Sequence, residues 1–168
     1  MDLANGKHDY TLTRPIDVHF KGVGDKEVIM LTLYEPTRQH VKQSAKLRQM
    51  VMISMIELSE KNNAQGQAGQ ESKQIHDKTD EEHEKDSAEL YEAMKIAILM
   101  SEKLDLGDFV EFFIDMALKP TKKPLIKCDD EIPIKDIHFD QMSADEVTDL
   151  AIAYASFFYM PSVMQGNE

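Results

Sequence analysis

Residues 9–20 alternate in character. Tyr10, Leu12, Ile16, Val18 and Phe20 are apolar, while Asp9, Thr11, Thr13, Asp17 and His19 are polar. A period of two sets one row against a core and the other in water, which predicts a β-strand. Pro15 has no amide hydrogen to donate, so it is expected at an edge or a bulge. Lys21-Gly22-Val23-Gly24-Asp25-Lys26 is a turn signal, and Val28–Tyr34 is a second strand rich in large and β-branched side chains. The two strands are expected to form a β-hairpin.

The period then changes. Thr37 is a candidate N-cap, and a helix is predicted from about Arg38 to about Glu60. Its first half is basic, with Arg38, Lys42, Lys46 and Arg48. Its second half is apolar on nearly every side, with Met50, Val51, Met52, Ile53, Met55, Ile56 and Leu58. A surface helix would show a stripe rather than a collar. Residues 61–88 hold one large apolar side chain, Ile75, among Asn, Gln, Gly, Lys, Asp and Glu. Such a stretch buries too little surface to offset its ordering entropy, so a flexible linker or a solvated, partly helical arm is expected.

Beyond it the pattern is helical. Leu90, Met94, Ala97 and Ile98 share one face of a helix over about 87–103. Leu106, Phe109, Val110, Phe113, Ile114 and Ala117 follow i, i+3, i+4, i+7 spacing in the next, leaving Phe112 and Met116 on another side. Pro120, Pro124 and Pro133 make 119–140 extended and irregular. Ser143-Ala144-Asp145-Glu146 is a capping-box pattern. It opens a final helix with Val147, Leu150, Ala151, Tyr154 and Phe158 facing inward and Pro161 at its end. The expected fold is therefore α+β: an N-terminal β-hairpin packed on a mainly α-helical body. Its parts are 1–60 (hairpin and long helix), 61–88 (polar linker) and 89–168 (acidic helical module).

Charge sharpens this division. The 168 residues carry 31 acidic and 19 basic side chains, net -12. Residues 1–60 hold eight of each, whereas residues 89–168 hold 16 acidic and seven basic. An acidic chain is repelled by nucleic acid and by anionic membranes, so neither is an expected partner. The single cysteine, Cys128, has no second thiol in the chain to pair with, and a disulfide scaffold is excluded. The opening residues hold no apolar signal core, and no apolar run nears the roughly 20 residues of a membrane span. A cytoplasmic protein is the expectation.

Candidate chemistry is sparse. No phosphate loop and no nucleophile elbow are present. Gly22-Val23-Gly24 reads as a hairpin turn, and Cys128 as an incidental thiol. Asp129-Asp130-Glu131 reads as a solvated acidic loop. His76 and His83 stand seven apart, too far for a helical zinc pair. No metal, no cofactor and no catalytic residue are assigned, and the chain is expected to be non-enzymatic. The basic stretch Arg38, Lys42, Lys46 and Arg48 reads as a solvated face or as an electrostatic contact for an acidic neighbouring subunit. The 11 methionines stand out more, because methionine suits surfaces that accept irregular partners. Met50, Met52, Met55 and Ile56 of the collar, with Phe112 and Met116, are candidates for a partner or oligomer interface; core packing is the alternative.

One further pattern emerges from the order of elements. A hairpin ending Leu31-Thr32-Leu33-Tyr34-Glu35-Pro36-Thr37 passes directly into a helix. A polar insertion and a helical module follow, and Met142-Ser143-Ala144-Asp145-Glu146-Val147 leads to Phe157-Phe158. This resembles the tail assembly chaperones of long-tailed bacteriophages and prophages, over about residues 10–58 and 125–160. The polar stretch 61–88 departs from the short connection of that family. The resemblance implies a chaperone that binds and solubilises the tape measure protein in the host cytoplasm. It would help recruit the tail tube protein during virion morphogenesis, form a homo-oligomer, and be absent from the mature virion. A small acidic adaptor or inhibitor acting by protein–protein interaction is the competing expectation.

Overall fold

The computed structural model describes residues 6–65, 80–118, 124–128 and 132–157. The fold is α+β, as the periodicities predict. Strand β1 spans Lys7–Phe20 and pairs antiparallel with β2, Gly24–Tyr34. The turn between them places Gly22 and Gly24 at φ of 77° and 97°, a left-handed region that favours glycine. Register shifts between Thr11 and Ile16, so Pro15 sits in a bulge where no ladder amide is needed.

The hairpin does not stand alone. Two short strands, β3 (Ile126–Lys127) and β4 (Ile134–Ile137), extend it to a four-stranded sheet of order β3-β2-β1-β4. Within 119–140, expected to be extended and irregular, the extended pieces thus pair with the hairpin. Prolines confine the pairing to pieces of two and four residues at the sheet's two edges, where a missing amide costs least. Hydrogen bonds from the Tyr34 amide to Leu125 O (2.8 Å) and from the Lys21 amide to Pro133 O (2.9 Å) hold these edges.

The predicted 38–60 helix is two helices. Helix α1 (Arg38–Gln43) and α2 (Ala45–Ala64) meet at Ser44, whose φ of -95° and ψ of 15° leave the helical region. Thr37 caps α1 as expected, and its amide donates to His40 Nδ1 at 3.0 Å. Helix α3 covers Asp80–Leu99, so both ends of the polar stretch 61–88 are helical. Its middle, 66–79, lies outside the described residues. Helix α4 is Leu106–Leu118, and α5 is Ala144–Ser156.

Helix α5 is the centre of the molecule. Every residue from Val147 to Ser156 is buried except Asp149, because α5 lies among the sheet, α2, α3 and α4. Val147, Leu150, Ala151 and Tyr154 point inward as predicted; Ile152, Ala153 and Ala155 are buried as well. Phe158 and Pro161 lie outside the described residues. One apolar cluster joins Leu12, Val18, Phe20, Leu31 and Leu33 of the sheet to Leu47 and Val51 of α2, Met94 and Ile98 of α3, Phe109 and Phe113 of α4, and Leu150 and Tyr154 of α5. The described parts of 1–60 and 89–168 therefore share one core and one sheet.

The Pro15 bulge is also a joint. The Glu146 carboxylate accepts from the Thr13 amide (2.7 Å), the Thr13 hydroxyl (2.9 Å), the Ser143 amide (3.0 Å) and the Ser143 hydroxyl (3.1 Å). The Ser143 hydroxyl returns a bond from the Glu146 amide, closing the predicted capping box. Gln141 grips the strand's other side, accepting from the Asp17 amide at 2.6 Å and donating to its carboxylate at 2.9 Å. The Thr13 amide, more than any other contact, holds the Glu146 carboxyl down to about 2 against the opposing effect of burial.

Candidate interaction surface

Helix α2 is two-faced, not a uniform collar. Leu47, Val51, Ser54 and Glu57 recur at spacings of three and four and are buried. Met50 and Met55 are half-buried and pack against the core cluster. Met52, Ile53 and Ile56 point outward with 54%, 39% and 51% of their surface exposed. Of the interface candidates on this helix, Met52 and Ile56 are free to meet a partner, while Met50 and Met55 serve mainly as packing.

The two candidates on α4 are placed differently. Met116 is buried at 3% exposure, which corrects its assignment to an interface: that side of α4 is closed off by the protein itself. Phe112 is half-buried, and Lys46 Nζ lies 4.5 Å from its ring centroid. This cation–π contact ties the start of α2 to α4 and is worth about 0.5–1 kcal/mol. Of the basic candidates, Lys46 is thus engaged within the chain, and Arg48 is half-buried on α2. Arg38 and Lys42 are exposed on α1.

A second exposed apolar group completes the surface. Ile96, Leu99 and Met100, at the end of α3, are 46%, 49% and 68% exposed. They lie off the Leu90, Met94, Ala97, Ile98 face, so their outward position was readable from spacing alone. Glu57 ties α2 to the turn that follows α3. Its carboxylate accepts from the Ser101 hydroxyl (2.7 Å), the Glu102 amide (3.0 Å), the Lys103 amide (3.4 Å) and Lys61 Nζ (3.1 Å). Ser101 in turn accepts from the Leu104 amide at 3.1 Å. Ile56 and Met100 are chain neighbours of this bonded Glu57–Ser101 pair. The Ser101 hydroxyl is the largest cause holding the Glu57 carboxyl down to about 2, followed by the Glu102 amide. Glu57 had no predicted role. Its signal was a lone carboxylate within the apolar run Met50–Leu58, but of its partners only Lys61 is local; Ser101, Glu102 and Lys103 lie more than forty residues away.

The stretch that carries the second group is acidic. Residues 89–118 carry seven acidic and two basic side chains, and Glu89, Glu92, Glu102, Asp105, Asp108, Glu111 and Asp115 are all exposed. Of the two lysines, Lys95 is spent on Asp149 at 3.3 Å and Lys103 lies 3.9 Å from Glu60.

Among the described residues no group of His, Cys, Asp and Glu is arranged to hold a metal ion. Asp129, Asp130, Glu131 and His76, and the side chain of His83, lie outside the described residues. Cys128 is half-buried. Among the described residues no helix is long and apolar enough to cross a membrane. Comparison with protein-family models, with curated proteins and with solved structures yields no match for this chain.

Proposed function

We propose that this chain is a non-enzymatic assembly chaperone. It captures an apolar helical segment of a long partner and keeps that partner soluble until it is assembled. One observation carries the proposal: Met52, Ile53 and Ile56 stand in water on a helix whose other side is already packed in the core. Six large apolar side chains on α2 and the end of α3 are exposed at about half their area, an arrangement typical of surfaces that engage partners. Methionine in that row adapts to sequences of irregular shape. The net charge of -12 keeps a chain with such a surface in solution.

The sequence resemblance to phage tail assembly chaperones supplies the partner: the tape measure protein, with tail tube subunits displacing the chaperone as they polymerise. Action in the host cytoplasm and self-association around the partner belong to the same proposal. Co-expression tests it. The long, helix-rich partner is produced with and without this chain, and the soluble fraction is measured. A several-fold rise in soluble partner is expected. An unchanged fraction removes the chaperone reading and leaves the acidic adaptor.

A further inference from the structure

We propose that the surface formed by Met52, Ile53 and Ile56 of α2 with Met100 receives an amphipathic helix whose apolar stripe is flanked by lysine and arginine. The inference deepens the chaperone reading and rests on it in taking the occupant to be another protein. The apolar row alone would accept any greasy helix. The charges around it select among them.

On α2, Glu60 lies one turn beyond Ile56 on the same face; on α3, Glu92 lies one turn before Ile96. Glu102, beside the Glu57 latch, keeps 83% of its side chain exposed. Asp105 and Asp108 follow at the start of α4. Among the described residues two lysines stand with them, and both are paired: Lys61 lies between Glu57 and Glu102 at 3.1 and 3.3 Å, and Lys103 lies 3.9 Å from Glu60, so the five carboxylates outnumber the cations. A helix with acidic flanks would meet a net excess of like charge there. One with basic flanks would gain attraction there while its stripe covers the isoleucines.

Other occupants fit less well. Two copies meeting face to face would press acid on acid. The chain's own exposed basic helix presents Arg38 and Lys42, beside the neutral Gln39, so its described exposed side chains are polar and do not supply a stripe to cover the row. Anionic membranes and nucleic acid are repelled by the same charge.

Two labelled helical peptides of about five turns test the proposal. Both carry leucine at i, i+3, i+4 and i+7; one has lysine on its flanks and the other glutamate. Binding to the full-length chain is read by fluorescence anisotropy. The basic peptide is expected to bind at least about tenfold more tightly than the acidic one, and to weaken as salt is raised past a Debye length of about 8 Å. The double variant Ile53→Ser/Ile56→Ser, with an unchanged helical spectrum, is expected to lose about tenfold in affinity. Equal affinity for both peptides, binding of neither, or full affinity in the double variant would each overturn the proposal. So would a wild-type dimer that the double variant dissociates, because the face would then belong to a second copy. Failure here with partner solubility still raised on co-expression would discard the ligand and its seat while sparing the chaperone reading.

Discussion

Replacing Glu146 with alanine removes one carboxylate from four hydrogen bonds and separates the start of α5 from the β1 bulge. The two hydroxyls involved can turn to water. The Thr13 and Ser143 amides cannot reorient, and each loses a charged acceptor. A lost partner of this kind costs about 1–2 kcal/mol per amide, so Glu146→Ala should destabilise by about 2–4 kcal/mol. For a chain of this length that corresponds to a fall in Tm of roughly 5–15 °C. Glu146→Gln keeps the shape and one acceptor oxygen but turns an amide NH2 toward donors, and about 1–2 kcal/mol is expected. The pH dependence gives an independent check. The folded carboxyl is depressed to about 2 from an ordinary 4.5, so the unfolded chain binds the proton more tightly. Its stabilisation is complete above pH 4.5 and lost as pH falls toward 2. Thermal melts of wild type and Glu146→Gln from pH 6 to pH 2 should therefore converge at acid pH. An alanine variant melting within a degree of wild type, or parallel acid slopes for wild type and the glutamine variant, would refute the reasoning.

Other substitutions probe the rest of the structure. Met116→Ala opens a cavity beside α4 and should cost about 2–3 kcal/mol in chemical denaturation, whereas exposed Met52→Ala should stay within about 0.5 kcal/mol. Lys46→Ala should lose about 0.5–1 kcal/mol through Phe112, and a double-mutant cycle with Phe112→Leu should recover most of that coupling. Ser101→Ala should speed amide exchange at Glu102, Lys103 and Leu104, since it removes the hydroxyl that joins Glu57 to this turn. Burial pushes the Tyr91 and Tyr154 phenols up to about 12 and raises Tyr10 as well, so ultraviolet titration should show at least three of the five tyrosines ionising above the ordinary phenol range, Tyr91 and Tyr154 late.

The strands and helices were legible wherever a period was sustained. Alternation over 9–20 and the 3.6 spacing over 106–117 each located an element, and Pro15 marked its own bulge. Ser143 and Glu146 announced the cap of α5, though not the bonds to Thr13, which depend on a strand more than a hundred residues earlier. What escaped was short or non-local. β3 and β4 are too brief to show a period, and prolines surround them. The break at Ser44 has no glycine or proline to signal it. The collar hid the two faces of α2, because methionine occupies half-buried (Met50, Met55) and outward (Met52) positions alike and Ile53 and Ile56 face water. Only the buried stripe of Leu47, Val51, Ser54 and Glu57, fixed by contacts with α3 and α5, separates them. That separation turned a uniform apolar helix into a core face and an exposed row; the burial of Met116 on α4 is a separate, equally non-local outcome.

The most direct test joins that exposed row to the proposed activity. The proposed long helical partner is co-expressed with wild type and with Ile53→Ser/Ile56→Ser, and soluble partner is quantified beside the soluble chain itself. The account predicts that wild type solubilises the partner and that the variant, equally abundant and folded, does so several-fold less. A variant that solubilises the partner as well as wild type would contradict it.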